Sequence, residues 1–178
     1  MTIYIDDAAE SPRPETSHPR FVALAPESFY SATDEFAPFG SDDGNDVLRD
    51  MEAWYEQRDP GVDPAEGFLD DLLAGWAFDL PDGVLDFPDE RLLALVADGS
   101  AEARLTAVGQ ACVAAAVGQL KIEGVVSPLM QIRGRAGVRV LRCLYSDTTR
   151  YPTWPHRPAA LRGIELVERL LTRARDGA

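Results

Sequence analysis

Between Leu105 and Leu120 the chain runs for sixteen residues without a charged side chain, and many of those residues are small. Ala107, Gly109, Ala111, Ala114, Ala115, Ala116 and Gly118 hold neighbours off by a methyl group or less. A helix of this composition lets other helices approach from several sides, so it is expected to run through the middle of a bundle from about Ser100 to Glu123. A membrane span needs roughly 20 apolar residues; this run is shorter and contains Thr106, Gln110 and Gln119. No membrane partner is expected, and the two glutamines are placed at solvent-facing ends.

The remaining segments supply helices to pack around it. Val47, Leu48, Met51, Trp54 and Tyr55 recur at helical spacing, and Asp59-Pro60-Gly61 stops the run. Asp63-Pro64-Ala65-Glu66 has the form of a capping box and opens a helix over 63–78 with Phe68, Leu69, Leu72, Leu73 and Trp76 inward. Short helices are expected from Pro26 to about Asp34 and over 88–96. Ser127-Pro128 opens another whose apolar face is read as Leu129, Ile132, Ala136, Val140 and Leu144. The last helix, 158–175, turns Ala160, Ile164, Val167, Leu171 and Ala174 inward. With no alternating strand pattern beyond Thr2-Ile3-Tyr4-Ile5, the expected fold is all-α. It is a single compact bundle of about six or seven helices over 17–178, preceded by a flexible tail over 1–16.

Charge divides the 178 residues unevenly. The net charge is -13, yet residues 1–98 carry -19 and residues 99–178 carry +6. The halves attract one another, and the acidic excess also suits a basic protein partner. Nucleic acid is excluded as a direct ligand, because binding phosphates needs a concentrated basic surface. Cys112 and Cys143 lie in apolar helical patterns without metal-ligand spacing, which implies a reducing compartment and leaves their pairing open. The N-terminus has no basic stretch followed by an apolar run, so a cytoplasmic location is expected.

One stretch holds most of the candidate chemistry. Phe36 and Phe39 flank Pro38 in an extended turn, with Phe39 as an anchor, and Asp42, Asp43 and Asp46 follow within a helix start. Three carboxylates and Asn45 can offer oxygens to a hard cation, but no register fits an EF-hand loop, so no metal is assigned to them. Acidic residues at the first turn of a helix also suit its dipole. His18 and His156 are the only histidines. Arg133 projects within the apolar stripe of its helix and needs a carboxylate partner from the acidic half, with Asp42, Asp43 and Asp46 as candidates, or an anionic ligand. Trp154 and Tyr151 belong to a proline-stiffened loop over 146–157 that packs as a lid or lines a pocket.

His18-Pro19, Phe29-Tyr30, the segment from Glu35 to Gly44 and Gly118-Gln119-Leu120 together resemble the YfeS-like family of bacterial proteins. Ser31 stands where an aromatic residue is expected in that pattern. The resemblance implies a shared fold and no particular chemistry.

No phosphate-binding glycine loop, zinc-protease helix or nucleophile elbow is present. The expectation is an acidic protein-interaction module, immunity- or inhibitor-like, without a cofactor. The alternative is a metal- or small-anion-binding protein, with catalysis left open, in which Asp42, Asp43 and Asp46 meet His18, Arg133 and His156 in one cleft.

Overall fold

A computed structural model describes residues 2–7, 10–59 and 61–176. Its described residues form seven α-helices and no strand: α1 (Pro19–Leu24), α2 (Asp42–Gln57), α3 (Asp70–Gly75), α4 (Asp89–Leu95), α5 (Glu102–Glu123), α6 (Pro128–Ser146) and α7 (Arg157–Asp176). The all-α bundle is therefore what this sequence forms.

α5 is the axis. From Ala111 to Glu123 every residue is buried, and α2, α6 and α7 pack around it with α1 across one end. By length and composition α5 could cross a membrane, but 89% of its most apolar window lies inside the protein, as in a core helix. Gly124, in the left-handed conformation at φ 75°, ends it. Ser100 does not cap it: its N–H and hydroxyl both donate to Asp98 Oδ1, and Ala101 holds the cap position.

The closest seam is between α5 and α6. A Cβ on Gly137 would lie 2.6 Å from the Gly109 carbonyl oxygen and 2.8 Å from Cys112 Cβ, and one on Gly134 would lie 2.5 Å from Ala116 Cβ. These contacts correct the expected face of α6. Leu129 and Ile132, read as inward, are 42% and 63% exposed, whereas Met130, Gly134, Gly137, Val138 and Leu141 are buried. Glycines on both helices bring the backbones together there, and that gain turns the isoleucine out.

Elsewhere side-chain caps form at helix starts. Ser41 Oγ accepts from Gly44 N–H, Ser127 Oγ from Met130 N–H, and Asp63 Oδ1 from Ala65 N–H. The Asp63-capped segment starts as a π-helical turn, Ala65–Leu69, before continuing as α3. Instead of one helix from Pro26, the chain forms α1 before that proline and a 3₁₀ turn, Glu27–Tyr30, after it. α2 ends at Gln57 with Arg58 extended; Pro60, expected to help stop it, lies outside the described residues. The inward face of α7 is as its periodicity implies, with Ala160, Ile164, Val167, Leu171 and Ala174 all buried.

Candidate functional site

The turn before α2 is built on two close backbone approaches. Ala37 N–H donates to the Asp34 carbonyl and Phe36 N–H to Asp34 Oδ1, closing the chain on itself. A Cβ on Gly40 would sit 2.0 Å from the Asp34 carbonyl oxygen, and one on Gly44 would sit 2.2 Å from that of Pro38. Both positions therefore require glycine. Phe39 is fully buried, an anchor in the core, and Phe36 points the other way to meet Tyr145 and Trp154 edge-on.

From this turn α2 leaves with two unlike faces. Val47, Leu48, Met51 and Tyr55 enter the core. Asp42, Asp46 and Asp50, spaced by one helical turn each, are exposed on the opposite side, with Glu56 further along. No cation among the described residues pairs with these four carboxylates. Asp43 lies half-buried beside them; burial first, and then the charges of Asp46 and Asp42, raise its carboxyl above the ordinary range.

Other carboxylates of the acidic half are paired. Asp70 meets Arg133 at 2.8 Å, Asp89 meets Arg139 at 3.0 Å, and Glu52 meets Lys121 at 2.9 Å. These pairs join the acidic and basic halves across the fold. The Asp42–Asp46–Asp50 face is left out of that exchange.

The structure separates the remaining candidates. Arg133 takes its expected carboxylate from the acidic half, but it is Asp70 and not Asp42, Asp43 or Asp46, and the pair is about 40% exposed on each side rather than buried. His18 caps α1, its Nδ1 accepting from Arg20 N–H, while its ring lies against Tyr4 and against Gly124, where a Cβ would come within 2.2 Å of it. His156 is exposed just before α7. Trp154 is half-buried against Phe36 and Tyr145. Among the described residues no cluster of His, Cys, Asp and Glu has the arrangement of a metal site.

One constellation lies outside all of these expectations. Lys121, the chain's only lysine, is fully buried on α5 with its ammonium 2.9 Å from Glu52 Oε1 and 3.0 Å from Asp6 Oδ2. Arg49 closes on Glu52 at 3.1 Å, Asp6 N–H donates to Glu52 Oε1, and Thr16 Oγ1 donates to Asp6 Oδ1. Tyr4 N–H also donates to the Ile122 carbonyl. The segment read as a loose tail thus has a buried anchor at Asp6; Met1, Ala8 and Ala9 of that segment lie outside the described residues. The signal available in the sequence was the rarity of lysine itself, alone beside sixteen arginines and at the end of an uncharged run. Gln119, expected at the surface, is likewise buried; its amide donates to Glu123 Oε2 and accepts from Ser127 N–H.

Neither protein-family models, curated proteins nor solved structures contain a match to this chain.

Proposed function

We propose that this protein is an interaction module that presents the outer face of α2 to a basic protein, in an immunity- or inhibitor-like role. The observation that carries the reading is the contrast on one helix between Glu52, paired and buried, and Asp42, Asp46 and Asp50, exposed and without a cation. Three like charges a turn apart repel one another; the Asp43 carboxyl beside them is raised first by burial and then by the charges of Asp46 and Asp42. A cationic partner relieves that repulsion, steers onto the face at long range and is released by salt. The same reading includes a cytoplasmic location, which the two free thiols support, and kinship with the YfeS-like family, which the Glu35 to Gly44 segment supports.

The cleft of Asp, His and Arg has no comparable support: Arg133 pairs with Asp70, His18 caps α1, and among the described residues no hydrogen bond or ion pair joins these or the exposed His156 to the α2 carboxylates. The test is native mass spectrometry of the protein isolated gently from its source, beside a variant carrying Asp42→Lys, Asp46→Lys and Asp50→Lys. A basic polypeptide held by the wild type and lost both from the variant and at high salt is the expected result. A partner retained equally by the variant would refute the assignment to α2.

A further inference from the structure

The loop after α6 folds back over the start of α5 and forms an open cleft of about 240 Å³, with Tyr151 48% exposed at its rim. Its walls are Leu144 and three aromatic rings, Tyr145, Tyr151 and Trp154, with the Glu102 carboxylate at the edge. Tyr145 and Trp154 stand 5.5 Å apart and inclined at 58°, so they form a corner rather than a stack, and Phe36 backs both rings edge-on. Arg150 fixes the loop, donating to the Val96 carbonyl and to Glu102 Oε1.

Two features set the chemistry of what fits. Aromatic faces are negative, and rings meeting at an angle offer several such faces to one point, which suits a cation with little need for hydrogen bonds. Tyr151 donates its hydroxyl hydrogen to Glu102 Oε2 at 2.9 Å, which makes its ring more electron-rich than that of a free phenol. Glu102 and Asp147, both paired with Arg150, stand beside the rings, and Glu35 acts on Tyr145 from the other side. Arg150 is 5.5 Å from the Tyr151 ring but does not line the cleft, which leaves the ring's contact with the cleft free for a ligand.

We propose that this cleft binds a methylated ammonium head group, with Tyr145, Tyr151 and Trp154 around the cation and Glu102 as its counter-charge. An ordinary ammonium keeps its water more strongly and has no acceptor here beyond a carboxylate already bonded twice. The inference does not rest on the α2 face and stands or falls separately from it.

The test uses the intact wild-type protein labelled with ¹⁵N and follows its three tryptophan indole N–H signals during titration with tetramethylammonium, choline and a trimethyl-lysine peptide at constant ionic strength. Loss of one signal in Trp154→Phe assigns Trp154. The expected result is a saturable shift of the Trp154 signal alone, absent with 3,3-dimethylbutanol, the neutral analogue of choline. Tyr151→Ala, which keeps the Trp154 reporter, should weaken binding about tenfold, and Glu102→Gln, which keeps all three rings, should weaken it several-fold. Tighter binding of choline would identify a free small molecule as the source of the head group, and tighter binding of the peptide a modified side chain; either supports the site. No shift at Trp154, an equal shift with the neutral analogue, or full affinity in both variants would overturn it.

Discussion

The ammonium of Lys121 lies 2.9 Å from Glu52 Oε1 with both groups buried, and this contact ties the core helix to the helix that carries the acidic face. Asp6 completes the set from the N-terminal segment, so one lysine holds three separate parts of the chain. Removing a single partner leaves a charge stranded in the core. Lys121→Met is expected to cost about 3–5 kcal/mol, whereas Lys121→Met with Glu52→Gln should cost distinctly less, because fewer charges are left without a partner. Urea denaturation of both single variants and the double measures the coupling; a double loss equal to the sum of the two single losses would show that the pair contributes nothing beyond its separate members.

The same site sets a pH dependence. Burial raises the Glu52 carboxyl, with Lys121 opposing it less strongly. A carboxyl that titrates higher in the folded than in the unfolded chain holds more protons when folded. Its stabilising contribution is complete below the ordinary carboxylate range and is lost as pH rises through the folded value. Glu52→Gln cannot titrate, so its melting temperature should fall less than that of the wild type between mildly acidic and neutral pH. Parallel curves would exclude Glu52 as the source.

Glycine at the α5–α6 seam and glycine at the surface should respond oppositely to a methyl group. Gly137→Ala places a carbon where the Gly109 carbonyl and Cys112 already are, and should destabilise by about 1–3 kcal/mol in spite of the better helix propensity of alanine. Gly75, at the end of α3, has open space around its Cβ position, so Gly75→Ala should stabilise by up to about 1 kcal/mol. Thermal unfolding of both distinguishes close packing from propensity.

Arg133→Gln is expected to change stability by less than about 1 kcal/mol, since its pairing with Asp70 is solvent-exposed on both sides. A large loss in chemical denaturation would mean that the guanidinium holds more than this one carboxylate.

Asp43 offers a readout of the α2 face. Its raised carboxyl owes part of its shift to Asp46 and Asp42, so Asp46→Asn should move it back toward the ordinary range in a carboxyl-resolved NMR titration. A bound basic partner should move it in the same direction. No change in either case would remove mutual repulsion as a property of this face.

The helices were legible wherever burial alternates cleanly with charge. On α7, arginines and glutamates separate Ile164, Val167 and Leu171, and the inward face follows from the spacing alone. α6 misleads because hydrophobicity ranks Ile132 above Gly134 and Gly137, while the seam with α5 selects for smallness. Ser41, Ser127 and Asp63 announce helix starts because capping is local chemistry; Ser100 has the same form but is drawn to Asp98. The acidic stripe on α2 is written in its i, i+4, i+8 spacing. Arg133 with Asp70, and Lys121 with Asp6 and Glu52, join residues more than sixty positions apart, and pairings at that range are set by the assembled bundle rather than by any local pattern.

Because the chain has one lysine and its side chain is fully buried, the folded protein presents no lysine amine to reagents in solution. Acylation at Lys121 can proceed only when the contacts with Glu52 and Asp6 come apart. Its rate at varied reagent concentration is therefore a clock for opening at the heart of the bundle, readable as the mass increment on the peptide that contains Lys121.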